Sequence, residues 1–231
     1  MQEDVDQPRL TEEIAFETTA TTLSSIFFYL AHYPPSYSEL TEEVRSTFKN
    51  IEDIRAGPQL SSCKYLWACI QEAMRMSPAA PGAMWREAEP DGLCIDGELI
   101  PGGYDIGVCI SAIHHNEAYF PDSFAFLPER WLPPHPQSKE KPKVAYSAYN
   151  PFSLGPRGCI GRPLAMMEIS VVVARVLWLM DFRLGRRELG AEAEGKPRRV
   201  DGRHHVKEYQ LYSHLTSYAQ GPMMEFKKKK L

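Results

Sequence analysis

Apolar residues recur at intervals of three and four over much of the N-terminal third of the chain. From Leu10 to Tyr33 the pattern predicts a helix with Leu23, Ile26, Phe27 and Leu30 on one face. Thr11, Glu12 and Glu13 form an acidic first turn, and Pro34-Pro35 ends the helix. A second helix, Ser38 to Phe48, places Leu40, Val44 and Phe48 together. Gly57-Pro58 breaks the chain. A third helix then starts from Ser61 or Ser62 as N-cap and carries Leu66, Cys69, Ile70, Ala73 and Met74 towards Pro78. Further on, Leu164 to Met180 is again apolar at helical spacing.

Between these helices the period changes. Ala83 to Ile113 alternates and turns, with Asp96-Gly97 between Leu93-Cys94-Ile95 and Glu98-Leu99-Ile100 as a tight-hairpin signal. Pro101-Gly102-Gly103 precedes a further strand expected to reach Ile113. Pro133 to Pro142 reads as a Pro- and Lys-rich loop, and Gly185 to Arg203 as a charged, flexible surface loop. Tyr209 to Phe226 reads as two short strands around a turn, and Lys227 to Lys230 as a solvated tail. The expected fold is mainly α with small β-sheets. No internal repeat is present.

Composition narrows the function classes. A chain of 231 residues, 43% hydrophobic, can bury one large core or two small ones. A net charge of -4 gives no case for nucleic acid as a partner. The five cysteines are scattered without a Cys-x-x-Cys pair, which suits reduced thiols in an intracellular setting. Met1 to Leu10 is polar and acidic, so neither a signal peptide nor an anchor is expected. The longest apolar run, Ile169 to Met180, is interrupted by Arg175 and too short to span a bilayer.

The stretch from Asn150 to Ala165 is rich in Gly and Pro up to Cys159 and then enters the apolar helix. Taken alone, Cys159 is either a buried structural residue, as free cysteines commonly are, or a presented thiolate. A sulfur just ahead of a helix lies where unpaired N–H groups and the helix dipole favour negative charge. Gly155, Gly158 and Gly161 permit tight turns and close approach of a flat ligand. Arg157 adds a cation suited to an acidic group on that ligand.

This stretch resembles the haem-binding loop of the cytochrome P450 family, Phe-x-x-Gly-x-Arg-x-Cys-x-Gly, through Phe152, Gly155, Arg157, Cys159 and Gly161, with Ala165 in its helical continuation. The resemblance implies haem b as cofactor, with the Cys159 thiolate as axial iron ligand, the chemistry for which this family is known. It also implies a place for Glu17 and Thr18 within the threonine-rich segment of the first helix. The family's helix over the haem carries Ala/Gly-Gly-x-Asp/Glu-Thr, whose acid and alcohol relay protons during oxygen activation. The chain departs upstream, with Ile14-Ala15-Phe16 in place of Ala/Gly-Gly-x. That departure implies a coding segment missing near residues 14–16, and Phe16 is expected to crowd the oxygen site. Read from the residues alone, the threonine hydroxyls bond back to carbonyls one turn earlier.

Glu72-Ala73-Met74-Arg75 and Pro128-Glu129-Arg130-Trp131 occur in the family's order ahead of the cysteine loop. The resemblance implies that Glu72, Arg75 and Arg130 form a buried cluster bracing that loop. Arg86 corresponds to an arginine that many members place on a haem propionate. His114 and His115 have no spaced partner and read as surface or propionate neighbours.

The likeness runs over nearly the whole chain, taken as residues 1–231 of a partial domain: the C-terminal haem-binding half of the family fold. It is greatest to fungal secondary-metabolism members. The implied activity is insertion of one oxygen atom of O2 into an apolar organic substrate, with electrons from NADPH through an NADPH-cytochrome reductase. Full-length members sit in the endoplasmic reticulum membrane. This chain, without their anchor, is expected to be intracellular and soluble or cytosol-facing. The alternative is a truncated, non-catalytic haem-binding fragment or a misannotated gene product. A member that rearranges peroxides without dioxygen is a third reading, disfavoured by the presence of Thr18.

Overall fold

A computed structural model of the chain describes residues 7–133, 143–185, 193–200, 204–213 and 216–229. Helix α1 (Gln7–His32) runs without interruption through positions 14–16. It is followed after one residue by α2 (Pro34–Thr47). The prolines therefore end one helix and begin the next, four residues before the start expected from Ser38. Proline lacks only an N–H that a first helical turn leaves unpaired anyway, and its fixed φ suits that turn.

The third expected helix is divided. A short helix, α3 (Pro58–Ser62), is separated by Cys63 from α4 (Lys64–Met76). Neither serine caps α4. Instead the Glu43 carboxylate, reaching across from α2, accepts the Tyr65 N–H at 2.9 Å and the Leu66 N–H at 2.8 Å. A negative group from a neighbouring helix thus satisfies two first-turn donors and meets the positive end of the α4 dipole.

Helix α7 (Arg162–Leu179) buries Ile169, Val173, Ala174 and Leu177 against α1, α2 and α4. Arg175, the break in its apolar run, turns outward and donates to the Ile54 carbonyl at 3.0 Å. At the far end Arg45 donates to the carbonyls of Leu177 and Met180 and to Asp181, closing the helix with a cation. Ile26, Phe28, Tyr29 and Leu30 of α1, Leu66 and Ile70 of α4, and Phe126 complete this core.

The strands are short and antiparallel. β1 (Arg86–Glu87) pairs with β4 (Asp105–Ile106), and β2 (Leu93–Ile95) with β3 (Glu98–Ile100). Asp96 and Gly97 both take positive φ, 51° and 88°, as a two-residue hairpin turn requires. The strand expected to reach Ile113 ends at Ile106, and α5 (Ile110–His114) takes its place. Helix α6 (Lys143–Ala148) precedes the cysteine loop.

The C-terminal region also departs from the expected two-strand hairpin. β6 (Tyr212–Ser213) and β7 (Ser217–Tyr218) make one small pair. β5 (Met180–Leu184), of which only Met180 is read from sequence, and then as the helix end, pairs with β8 (Met224–Lys228). Lys227 and Lys228 therefore belong to a strand, and Lys229 N–H bonds the Leu179 carbonyl. Phe27, Phe182 and Phe226 pack edge to face beneath this sheet, which gives the pairing a reason that local sequence does not contain. Residues 134–142 of the expected Pro-rich loop and parts of the expected 185–203 loop lie outside the described residues. The described part of the latter is anchored, with Ala193 buried and Glu194 2.8 Å from His32 Nε2.

Replacing Glu43 with alanine should remove the carboxylate that caps α4 and cost about 1–2 kcal/mol by urea unfolding, in line with lost N-caps. An unchanged midpoint would contradict the capping role.

Candidate functional site

The Glu72 carboxylate is fully buried and is met by donors on every side. Arg75, one turn on in α4, grips both oxygens, Nε to Oε2 and Nη2 to Oε1, each at 2.9 Å. The 3₁₀ turn Pro128–Trp131 supplies the rest: Arg130 Nε at 3.0 Å, Trp131 Nε1 at 2.9 Å and the Leu127 N–H just before it at 3.0 Å. The remaining Arg75 donors reach the carbonyls of His114 at 2.8 Å and Ala125 at 3.3 Å. The family resemblance pointed to Glu72, Arg75 and Arg130. It missed Trp131, although a buried indole N–H needs an acceptor and the Pro-Glu-Arg-Trp motif held it in view.

His114 is also fully buried, on the inner side of α5, which corrects its reading as a surface or propionate neighbour. Its Nε2 lies 3.1 Å from the Asn150 backbone nitrogen and its Nδ1 3.2 Å from the Arg75 carbonyl. A backbone N–H can only donate, so Nε2 accepts and Nδ1 carries the proton. The ring is therefore neutral. Burial first, and the Arg75 cation second, push its pKa down to about 3.

Asn150 opens the cysteine loop. The Ser153 N–H returns to the Asn150 carbonyl, a 3₁₀ turn spans Gly155–Arg157, and the Cys159 N–H closes on the Phe152 carbonyl at 2.9 Å. Gly155 takes φ 66°, a conformation that side chains resist, and it permits the reversal that brings Cys159 back to Phe152. Phe152 is half-buried against the core, and Arg162 lies over its ring at 5.6 Å. Cys159 is a free, exposed thiol. Around it Leu154, Ile160 and Leu164 are also exposed, Ile160 almost completely. A Cβ at Gly161 would lie 3.7 Å from the sulfur, so glycine leaves that flank of Sγ uncovered. Arg157 is exposed on the same loop, and Ala165 is half-buried in the first turn of α7, its N–H on the Gly161 carbonyl.

The loop residues are thus brought together; Glu17 and Arg86 lie on α1 and β1 and bond groups outside the loop. The exposed Glu17 carboxylate accepts the Thr216 hydroxyl at 2.8 Å. Thr21 donates to the Ser217 carbonyl at 2.8 Å, so this part of α1 is tied to the β6–β7 turn. Thr22 does bond back, to the Thr18 carbonyl, but Thr21 shows that the threonines also serve a tertiary contact. Phe16 is 76% exposed. Arg86 is exposed on β1 and donates to the carbonyl of its neighbour Trp85 at 2.6 Å.

Two outcomes follow for the buried network. Glu72→Ala leaves Arg75 charged and unpaired inside the core, so urea unfolding should show a loss of about 3–5 kcal/mol. A loss below about 1 kcal/mol would contradict the network's role. Acid should also weaken the fold before carboxylates titrate. The unfolded chain takes up a proton at His114 below its ordinary value of 6.5, whereas the folded chain does not until near 3. The unfolded state therefore binds more protons across that window, and stability falls with falling pH. His115 and His205, also depressed by burial, act in the same direction. Between about pH 6.5 and about pH 5 the urea midpoint should drop, and His114→Gln should flatten the slope.

Comparison with known proteins is consistent with this geometry. The family model for cytochrome P450 matches residues 15–188. A cytochrome P450 monooxygenase of Gibberella zeae is 43% identical over 213 residues, covering 92% of this chain and 48% of that protein. The cytochrome P450 monooxygenases apf7 of Gibberella fujikuroi and AKT7 of Alternaria alternata are 44% and 41% identical, each over 92% of this chain and 40% and 41% of their own lengths. The chain thus spans about half the length, or less, of these relatives. With a buried Glu72–Arg75–Arg130 cluster beside a loop that exposes Cys159, and with these matches, the chain belongs to the cytochrome P450 family.

Proposed function

We propose that this chain is the haem-holding, C-terminal part of a monooxygenase of fungal secondary metabolism, with Cys159 as the iron ligand. The observation that carries the reading is the exposed sulfur at the closed end of a hydrogen-bonded loop, bordered by exposed apolar side chains. These residues fit haem b. A soft thiolate would suit iron, Leu154, Ile160 and Leu164 would offer apolar surface to a flat macrocycle, and Gly161 leaves the sulfur uncovered. When bound, haem supplies the oxygen-activating chemistry, and the protein supplies binding, orientation and electrostatics.

Each residue then has a task set by its chemistry. Cys159 holds the group through sulfur, while Phe152, Gly155 and Gly161 keep the loop in the shape that presents it. Arg157, and Arg86 from the β1 strand, offer cations to the carboxylates at the group's edge. Glu17 and Thr18 hold and pass protons from the α1 side. The Thr216 hydroxyl on Glu17 fixes the carboxylate from the β6–β7 turn. The substrate is an apolar organic molecule, with O2 as co-substrate. Electrons come from NADPH through a cytochrome reductase that docks as a separate protein. A second reading, haem binding without turnover, draws on the exposed apolar rim.

The test is Cys159→Ser in the haem-reconstituted chain, read by the reduced carbon-monoxide difference spectrum. The far-red Soret band of a thiolate ligand should be present in the parent and absent in the variant. Without haem both proteins should melt alike, because exposed substitutions usually change stability by no more than about 0.5 kcal/mol. A far-red band that survives in the serine variant would overturn the assignment.

A further inference from the structure

His114 and Arg75, 39 positions apart, are joined twice. The Arg75 side chain donates to the His114 carbonyl at 2.8 Å, and the His114 ring donates to the Arg75 carbonyl from Nδ1 at 3.2 Å. This reciprocal pair leaves one polar ring atom, Nε2, and that atom accepts the Asn150 N–H. The Tyr149 ring stacks on the imidazole at 5.5 Å with a 24° tilt, and Phe120 meets it edge-on. The ring has therefore no freedom to turn away.

Asn150 is in turn the fixed point of the loop, since its carbonyl receives the Ser153 N–H and it stands two residues before Phe152, whose carbonyl receives the Cys159 N–H. The other members of the Glu72 cluster do not hydrogen-bond the loop among the described residues: Arg130 also donates to the Asp122 carbonyl, and the Trp131 indole N–H ends on the carboxylate. One covalent and hydrogen-bonded route from the buried charges to the sulfur runs Glu72, Arg75, His114, Asn150, Phe152, Cys159, and a second reaches α6 ahead of the loop through the Tyr146 hydroxyl on the Trp131 carbonyl at 3.1 Å.

We propose that His114 is a positioning residue for the cysteine ligand, a neutral acceptor that transfers the rigidity of the Glu72–Arg75 pair to the first backbone N–H of the loop. The proposal rests on the reading of Cys159 as the iron ligand for its consequence at the metal. The His114–Asn150 bond itself stands apart from that reading. Without the acceptor, the Asn150 N–H is left unpaired and the loop loses its anchor at the end remote from α7. Glutamine is the conservative replacement, because its side-chain oxygen reaches near the place of Nε2 and accepts a hydrogen bond. Phenylalanine keeps the ring and removes both polar atoms.

The parent chain, His114→Gln and His114→Phe are compared by two readouts. Amide exchange at Asn150, measured without haem, should be about tenfold faster in the phenylalanine variant and close to parent in the glutamine variant. In the haem-reconstituted chains the thiolate share of the carbon-monoxide spectrum should fall in the phenylalanine variant and recover in the glutamine variant. Equal behaviour of glutamine and phenylalanine in both readouts would overturn the proposal, since the acceptor would then not matter. So would faster exchange with an unaltered thiolate share. A parent chain without any thiolate band would count against Cys159 as ligand, and parent-like exchange in the phenylalanine variant would count against the His114 bond.

Discussion

One buried carboxylate organises the molecule. Glu72 has no contact with solvent, so its charge is tolerable only because Arg75, Arg130, Trp131 and the Leu127 N–H converge on its two oxygens. Each donor comes with a segment attached. Arg75 fixes the last turn of α4, Arg130 and Trp131 pin the 3₁₀ turn at 128–131, and the spare Arg75 donors hold α5 and the Ala125 backbone. Three stretches of chain distant in sequence, α4, α5 and residues 125–131, therefore share one polar centre inside an otherwise apolar core. Such a centre is a weak source of net stability but a strong constraint on arrangement, because any displaced member leaves a charge unpaired.

That constraint suits the chemistry expected at the cysteine. A metal ligand on a loop must be held as firmly as one on a helix, yet its sulfur must stay open. The loop meets both demands. Its start is bonded to His114, its middle is turned by Gly155, its end is closed by the Cys159 N–H on Phe152, and α7 continues from it into the core. The outward side chains, Leu154, Ile160 and Leu164, are apolar where a free surface would ordinarily be polar. Rigidity beneath and apolar exposure above is the arrangement expected of a site built to take a large flat cofactor.

Much of this was readable in the residues. The long helices α1, α2, α4 and α7 followed from spacing, the β2–β3 turn from Asp96-Gly97, and the loop from its Gly, Pro and Cys pattern. Features that depend on a partner far along the chain were not readable. Glu43 caps a helix 21 residues on, and no local signal distinguishes it from a solvated glutamate. Met180 to Leu184 alternates apolar and charged side chains, but five residues directly after a long helix do not say which strand will pair with them, and the partner, β8, lies forty residues on. His114 lacked a partner at ligand spacing, so sequence reasoning left it at the surface. Its partners are backbone groups, which carry no sequence signature at all. The Glu17–Thr216 bond is of the same kind, joining the proposed proton-handling segment to a turn 199 positions away.

The claim at the centre is that this chain presents the Cys159 sulfur to haem iron. X-ray absorption at the iron edge of the haem-loaded chain tests it most directly, because it counts the atoms bound to the metal and separates sulfur from nitrogen and oxygen. The account predicts a single sulfur scatterer beside the porphyrin nitrogens, lost when residue 159 is serine. An iron shell of nitrogen and oxygen alone in the parent chain would contradict it.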